Sequence, residues 1–329
     1  PSKKYILHYC HNGREQEPVA ALVSLCEAFP EHPDYMQWYS AVVLHSEFLK
    51  TIAGVTEPYN VMPSSIYRDD DYLQVPESRK ESFRRQVLNG IPLGKGNYLR
   101  IFPVWMDYRG HFGTILPQAQ ALNYAARLRG DRECLSLSLK QMEWVMGLNP
   151  FSQSNMYGEG YDFPPLYTPS SGDIVGGLPV GIQTKGDADV PYWPVQNNWT
   201  YKEIWIHPVS QWMGLMRDLN GKFRKPDDNE TAEAGIKIVA KSSTSPKGDV
   251  TITAVISGEG VHNLDLRISN LNLKNSSRKI NLEPGKNQTV KWQGKTINAD
   301  EPWVALIITD NDLKHKSEIT GFAWKKPEI

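Results

Sequence analysis

Residues 114–147, TILPQAQALNYAARLRGDRECLSLSLKQMEWVMG, decide the fold of the first part of the chain. The first half predicts a helix that stops at Gly130, because glycine adopts the left-handed conformation in which many helices end. Asp131 follows as a helix cap and opens a second helix, which ends at Gly147. Two helices joined by so short a turn form an antiparallel helical hairpin.

Other segments before residue 220 repeat this helical pattern. Residues 16–29 place Val19, Leu22, Val23, Leu25 and Cys26 on one broad face of a helix, and Pro18 fits its first turn. The segments predicted to be helical are 16–29, 34–53, 78–89, 114–129, 131–146 and 200–218. Six helices separated by turns predict about three helical hairpins.

The last part of the chain follows a different period. Polar and apolar residues alternate in 249–257, DVTITAVIS, and in 263–273, NLDLRISNLNL, which is typical of strands that bury one face. Further strand patterns lie at 278–282, 288–292, 302–310 and 318–324. About seven short strands predict an antiparallel β-sandwich of immunoglobulin or fibronectin type. The Cys…Trp…Cys pattern of antibody domains is absent.

The composition of the chain changes near residue 225. All 15 tyrosines precede residue 236, and the bridge at 221–235, GKFRKPDDNETAEAG, is polar and contains proline. Such a composition is typical of a linker. We therefore predict a helical domain at 1–220, a linker at 221–235 and a β-sandwich domain at 236–329.

Charge and motifs exclude several classes of protein. The chain has 36 Lys+Arg and 37 Asp+Glu, so the excess of cations that binds nucleic-acid phosphates is missing. No apolar run approaches the ~20 residues that span a bilayer, and the first residues carry no signal-peptide pattern. The sequence contains no GxGxxG, Walker, HExxH or GxSxG motif. We expect no cofactor, no nucleic-acid partner and no membrane span.

The three cysteines, Cys10, Cys26 and Cys134, are too few and too widely spaced for a disulfide framework or a zinc site. Cys26 and Cys134 lie in apolar helical segments. We predict that both are small buried hydrophobic residues.

Residues 147–205 form the most unusual segment of the chain. Between Asn149 and Asn198 no helical period is present, and a loop of this length is rare in a compact domain unless it is functional. Its aromatic rings can stack on sugar rings, and its amides and hydroxyls can bond sugar hydroxyls. We favour a binding cleft over a well-packed cover on the helix ends. The candidate binding residues are Tyr157, Tyr161, Tyr167, Tyr192, Trp193, Asn198, Trp199 and Tyr201.

Glu203 is the candidate catalytic residue of this segment. It precedes an apolar run, Ile204–Ile206, and desolvation beside such residues raises the pKa of a carboxyl toward the range that a general acid needs. The alternative is a glutamate that caps the following helix and is favoured by the helix dipole. The residues alone support the two interpretations about equally.

Other polar clusters carry weaker signals. Asp69, Asp70 and Asp71 predict a solvated acidic loop, with a calcium or water-activating site as the alternative. In 105–113, WMDYRGHFG, the residues Asp107, Arg109 and His111 predict a turn with an internal salt bridge rather than a site. His207 is more typical of packing at a helix start than of catalysis. Before the first helix lies a further polar group: His8, His11, Asn12, Arg14 and Glu15.

Three blocks of the chain, in order, resemble the C-terminal part of the family 9 glycoside hydrolases. These are 144–150, WVMGLNP, 176–181, GGLPVG, and 201–205, YKEIW. The resemblance covers about a third of the chain and implies an (α/α)6-barrel of six helical hairpins, of which this sequence would supply about half. It also implies that Glu203 is the proton donor.

The chain departs from the family pattern at several points. Residues 164–169 read PPLYTP where the family has a histidine–arginine motif, and Lys202 replaces an asparagine. The D-A-G-D-like motif that supplies the water-activating aspartates is absent, and the β-sandwich follows the helices instead of preceding them. A half-barrel would leave one apolar flank uncovered. We therefore expect either a further N-terminal segment or self-association to cover it.

Three functions follow from these observations. The first is an inverting glycoside hydrolase that acts on a plant or microbial polysaccharide or oligosaccharide, which implies a secreted, periplasmic or cell-surface protein. The second is a polysaccharide lyase of the α/α-toroid type, in which Asn197, Asn198, Tyr201 and His207 would act on a uronate. The five-residue excess of acids over bases in 1–235 disfavours the lyase. The third is a glycan-binding relative without catalytic activity.

Overall fold

The computed structural model describes residues 13–104, 110–167, 172–182, 184, 186–193, 202–220, 236–245, 247–297, 304–309 and 316–320. Within these ranges, six α-helices precede eight strands that form two antiparallel sheets. A small three-stranded sheet lies among the helices. The predicted order of helices followed by antiparallel sheets is confirmed.

All six predicted helices are present. Their bounds are α1 Gln16–Ala28, α2 Tyr35–Ala53, α3 Glu77–Leu88, α4 Phe112–Arg129, α5 Arg132–Met146 and α6 Ile206–Asn220. The largest difference is at the start of α6, which was predicted at residue 200. Within residues 202–205, which precede it, Ile204 instead pairs with Pro179 of another loop in an isolated β-bridge.

The turn between α4 and α5 has the predicted chemistry. Gly130 has φ 65° and its N–H bonds to the Ala126 carbonyl. Asp131 caps α5, since its carboxylate accepts hydrogen bonds from the N–H groups of Glu133 at 3.0 Å and Cys134 at 3.2 Å. The left-handed glycine ends one helix and the aspartate starts the next, so the chain reverses within two residues.

Helix α4 is the centre of the helical region. It contacts α1, α2, α5 and α6, and most of its residues are buried, including polar ones. Gln120 Nε2 donates to Asp218 Oδ2 on α6 at 2.7 Å, and Ser138 Oγ on α5 donates to the Ala119 carbonyl at 2.8 Å. Because buried polar groups need partners, these bonds fix the two helices against α4.

Helices α1, α4 and α6 begin at the same end of this region, which we call the loop end. Gly13, just before α1, donates its N–H to the Gly113 carbonyl at 3.1 Å. His207, in the first turn of α6, donates from Nε2 to the Gly13 carbonyl at 3.2 Å. The segments that follow α5 also fold over this end.

The prediction of three hairpins needs a correction. Helices α1 and α2, and α4 and α5, pair as predicted, whereas α3 packs on the small sheet of β1 Ser65–Arg68, β2 Ile91–Gly94 and β3 Asn97–Arg100. Phe83 of α3 meets Tyr67 of β1 edge to face at 5.3 Å. Strands of four residues carry too little alternation to be recognised. The toroid itself stays a prediction.

The C-terminal region consists of two four-stranded antiparallel sheets, ordered β11-β10-β6-β8 and β4-β5-β9-β7. The strands are β4 Ile236–Thr244, β5 Asp249–Gly258, β6 Gly260–Ile268, β7 Leu271–Leu273, β8 Ser277–Leu282, β9 Asn287–Thr296, β10 Val304–Thr309 and β11 Lys316–Thr320. Both sheets contribute to one core, which contains Ile252 and Trp292 from one sheet and Leu264 and Ile280 from the other. The immunoglobulin-type assignment stays a prediction.

The segment 263–273, predicted as one run, is two strands in different sheets. β6 ends at Ile268 and β7 starts at Leu271, and Asn270 between them has φ 53°. Asparagine tolerates this left-handed conformation better than most residues. The reversal moves the chain from one sheet to the other, which alternation alone cannot reveal.

A cation–π contact joins the two regions. The Arg267 guanidinium of β6 lies 4.3 Å from the ring centre of Tyr35, the first residue of α2. The linker at 221–235 lies outside the described residues. The domain boundaries therefore stay predictions.

Two helices leave apolar side chains exposed. On α6 these are Ile206, Met213 and Met216, and on α5 they are Leu139 and Met146. Their spacing of seven and three residues places each set along one helical face. Such a face is typical of a surface covered by another element. What covers it stays a prediction.

Other expectations concern cysteines and membranes. Cys26 and Cys134 are buried and unpaired with each other, as predicted, whereas Cys10 lies outside the described residues. In the part of the chain that the structure describes, no helix has the length and apolar character of a membrane span.

The cap of α5 gives a first prediction. Burial opposes ionisation of Asp131, yet Arg129 and Lys50 together hold the pKa of its carboxyl below the ordinary value. Asp131→Ala should lower the free energy of unfolding by about 1–2 kcal/mol, as measured by urea denaturation at pH 7.

Asp131→Asn is the matched control, because asparagine caps equally well but carries no charge. A lowered folded pKa gives stability that is present above the unfolded pKa and is lost as pH falls. The advantage of aspartate over asparagine should therefore shrink as pH falls below about 4, the unfolded pKa, and vanish only below the lower folded pKa. Equal stability of the two at pH 7 would show that the ion pairs contribute nothing.

Candidate functional site

Residues 178–182, which we call the strap, connect the starts of α4 and α6. The Val180 N–H donates to the Glu203 carbonyl at 3.0 Å, and Pro179 pairs with Ile204 in an antiparallel bridge. On its other side, the Val180 carbonyl accepts from the Phe112 N–H at 3.2 Å. The strap thus places the Glu203 segment at the loop end.

The close approach of the strap to α4 requires glycine at two positions. A Cβ on Gly181, which has φ 117°, would lie 2.7 Å from Cγ of Phe112. A Cβ on Gly110 would lie 2.2 Å from the Gly181 carbonyl oxygen. Both distances are shorter than any real contact, so a larger residue at either position would displace the strap.

The buried side chain of His111 holds the strap in place by a hydrogen bond. Its Nδ1 lies 2.7 Å from the Ile182 carbonyl oxygen and must donate to it, since a carbonyl only accepts. Nε2 then accepts from the Trp144 indole N–H at 3.0 Å. Burial lowers the pKa of His111 to about 3, and the bond to Ile182 only partly offsets this. His111 is therefore a neutral structural residue. Asp107 and Arg109, its predicted partners, lie outside the described residues.

Glu203 is half-buried and lies three residues before the start of α6. Its Oε2 accepts a hydrogen bond from the Trp205 indole N–H at 2.7 Å. In the described part of α6, no backbone N–H donates to this carboxyl, so the structure gives no support to the helix-cap interpretation. The bond to Trp205 holds the carboxyl in one orientation.

Lys202, next to Glu203, is buried. Its ammonium lies 5.3 Å from the ring centre of Trp193, and its carbonyl accepts from the Tyr167 N–H at 3.1 Å. Burial lowers the pKa of Lys202 to about 8. Lys202 therefore connects the segment that carries Glu203 to the segments of Trp193 and Tyr167.

The five described aromatic candidates differ in exposure. Tyr161 is fully exposed, Tyr157, Tyr167 and Tyr192 are half-buried, and Trp193 is 5% exposed. The Tyr157 N–H donates to the Gly177 carbonyl at 3.1 Å, and its ring meets Phe163 at 5.2 Å. The remaining candidates, Asn198, Trp199 and Tyr201, lie outside the described residues.

A second carboxyl lies at the loop end. Glu15 precedes α1, and its Oε2 is buried without a hydrogen bond among the described residues. Burial raises the pKa of this carboxyl. The sequence placed Glu15 in a polar group before α1 but gave no sign of its burial. His207, held by the Gly13 carbonyl, has the packing role that was predicted.

The acidic run has a structural role. Asp69 and Asp70 are exposed as predicted, but Asp71 is buried. Its carboxylate accepts from the Arg68 N–H at 2.8 Å, at the start of a short 3₁₀ turn, Asp71–Gln74. Among the residues that the structure describes, no group of three or more His, Cys, Asp or Glu side chains is arranged to hold a metal ion.

The neutral state of His111 gives a second prediction. Its folded pKa lies below the unfolded value near 6.5, so folding favours the uncharged ring. The stability that neutral His111 contributes is present above pH 6.5 and is lost progressively as pH falls toward 3. Imidazole NMR should show a neutral ring with its proton on Nδ1 between pH 5 and 8.

His111→Phe is the matched variant. It should remove this acid sensitivity but leave the Trp144 N–H unpaired, at a cost of about 1–3 kcal/mol at pH 7. A His111 resonance that titrates near pH 6.5 would contradict the assignment.

Among the comparisons with known proteins, only the comparison with solved structures found similar chains. No protein-family model matches the chain, and no curated protein matches it significantly. The chain is similar to endoglucanase CelQ from Clostridium thermocellum complexed with cellotriose, at 12% identity and a TM-score of 0.30 over 69% of this chain and 51% of that one. The same enzyme complexed with cellobiose and cellotriose gives 11% identity and a TM-score of 0.32, over 87% and 61%. The chain thus spans less than two thirds of the endoglucanase.

Proposed function

We propose that this chain is part of a glycoside hydrolase of the family 9 type, with Glu203 as the general acid. The proposal rests on the burial and hydrogen bonding of the Glu203 carboxyl. Its carboxyl is half-buried at the loop end, and the Trp205 indole holds one of its oxygens at 2.7 Å. The aromatic segments lie close by, since Tyr157 bonds to Gly177, just before the strap, and Tyr167 bonds to Lys202.

The proposed reaction is hydrolysis with inversion at the anomeric carbon. Glu203 donates its proton to the glycosidic oxygen as the bond breaks, and a second carboxylate, ~6.5–9.5 Å away, removes a proton from the attacking water. Trp205 fixes Oε2, which leaves Oε1 to carry the proton toward the leaving group. The tyrosines at 157, 161, 167 and 192 would contact sugar rings. Trp193, with its buried ring, would support them from below.

The second carboxylate is assigned to polypeptide outside these 329 residues. The D-A-G-D-like motif implied by the family resemblance is absent from the sequence. Glu15 is poorly suited to the role of base, because burial raises the pKa of its carboxyl and favours the protonated form. The missing motif is also the observation that favours the second candidate function, which is glycan binding without hydrolysis.

A polysaccharide lyase fits the site less well. A lyase must neutralise the carboxylate of a uronate, which needs cationic groups in the cleft. Residues 147–205 contain six acidic residues against Lys185 and Lys202, and Lys202 is buried under Trp193. His207, a residue considered for proton abstraction, is hydrogen-bonded to the Gly13 carbonyl. A polymeric glycan as substrate would place the protein outside the cytoplasm or on the cell surface.

Glu203→Gln tests the assignment. In the intact protein the variant should keep its fold and its affinity for oligosaccharides, while turnover falls by ~100-fold or more, because general acid catalysis contributes ~100- to 10,000-fold. The loss should shrink for substrates with acidic leaving groups, which need little protonation. Turnover on aryl glycosides of graded leaving-group pKa measures both effects.

Asp173→Asn is the control, since it removes an exposed charge from the same loop and should leave turnover unchanged. Unchanged turnover in Glu203→Gln would end the case for this residue as the acid. Oligosaccharide binding without any hydrolysis by the wild-type protein would favour the second candidate function. Unsaturated products that absorb ultraviolet light would identify a lyase.

A further inference from the structure

We propose that Arg100 and Asp189 are positioning residues for this site. Together they fix residues 186–190, and through Trp193 they hold Lys202 and Glu203 in place. The catalytic meaning of this inference rests on the proposed function, whereas the contacts that carry it do not. Neither residue was a candidate in the sequence, because they are far apart along the chain.

Arg100 is the last residue of β3 and is 0% exposed. Its Nη1 donates to the Gln86 carbonyl at 2.8 Å and to the Asp187 carbonyl at 3.3 Å, and Nη2 donates to the Ala188 carbonyl at 3.4 Å. Its Nε lies 3.5 Å from Asp189 Oδ1. One guanidinium therefore contacts three successive residues of the loop, which a lysine ammonium could not match in shape.

Asp189 completes the attachment from the loop side. Its Oδ2 accepts from the Ile101 N–H at 2.8 Å and its Oδ1 from the Phe102 N–H at 3.1 Å. The loop is thus bonded to the chain just beyond β3 through both carboxylate oxygens. Because both members of the pair are buried, removing either one leaves an uncompensated group inside the protein.

The fixed segment leads directly to the site. Trp193 lies four residues after Asp189, and its buried ring faces the Lys202 ammonium at 5.3 Å. Lys202 precedes Glu203 and accepts the Tyr167 N–H. A shift of residues 186–190 would therefore move Trp193, and with it the backbone that carries the candidate acid.

An exposed ion pair holds the same segment and offers a comparison. Arg85 Nε donates to Asp187 Oδ2 at 2.8 Å, with side-chain exposures of 53% and 34%. Solvent-exposed pairs contribute little to stability or rigidity. We therefore expect the position of the loop to depend on Arg100 and Asp189 and hardly at all on Arg85.

The test compares four variants of the intact protein. Arg100→Met and Asp189→Asn break the buried attachment, and Arg85→Gln breaks the exposed one. Val43→Ala removes buried volume from the part of the α1–α2 hairpin that is far from the site. Urea is added so that its loss of stability equals that of Arg100→Met and Asp189→Asn. Amide hydrogen exchange is measured at 186–193 and 202–205, and kcat and KM are measured on cellotriose, xylotriose and chitotriose.

Arg100→Met and Asp189→Asn should speed exchange in both segments by ~10-fold or more. On the trisaccharide that the wild type cleaves fastest, kcat/KM should fall by ~10- to 100-fold, since a misplacement of about 1 Å can cost 100-fold. Arg85→Gln and Val43→Ala at matched stability should leave both readouts near the wild type. If Arg100→Met does not fold, the test uses Asp189→Asn alone, because this substitution keeps the size of the side chain.

Exchange at 202–205 that is unchanged in the first two variants would overturn the inference. So would an equal kinetic loss in Val43→Ala at matched stability, because the effect would then be a general one. A wild-type protein that cleaves none of the three trisaccharides contradicts the proposed function instead. In that case the exchange measurements still decide whether Arg100 and Asp189 position residues 202–205.

Discussion

The hydrogen bonds of one neutral histidine hold together three parts of the helical region that are distant in sequence. His111 starts α4, accepts from Trp144 near the end of α5, and donates to Ile182 in the strap. The ring can make both bonds only while it is uncharged, since the protonated form has no acceptor. Burial enforces that state. The position of the strap, and so of the Glu203 segment, depends on this arrangement.

The helical hairpin and most strands were predictable because their signals are local. Gly130 and Asp131 mark a helix end and a helix start through backbone conformation and capping, and neither needs a distant partner. The alternation in β5 persists because one face of that strand is buried along its length. The four-residue strands β1 to β3 were missed because they are stabilised by α3 and by one another. Nothing within each strand marks it.

The candidate site was predictable in part. The order of three sequence blocks pointed to Glu203, and composition pointed to the loop around it. Neither could show that Trp205 holds the carboxyl, that the ring of Trp193 is buried, or that Lys202 lies beneath it. The attachment of Arg100 to Asp189 joins residues 89 positions apart, and such a contact leaves no periodic trace in either segment.

The contact between Arg267 and Tyr35 gives the β-sheets a hold on the helical region that is remote from the candidate site. Tyr35 lies beyond the end of α1 that is remote from the loop end, and a helix of 13 residues is about 20 Å long. A displacement of β6 would act through this contact on the α1–α2 turn, whereas Glu203 lies near the opposite end of α1.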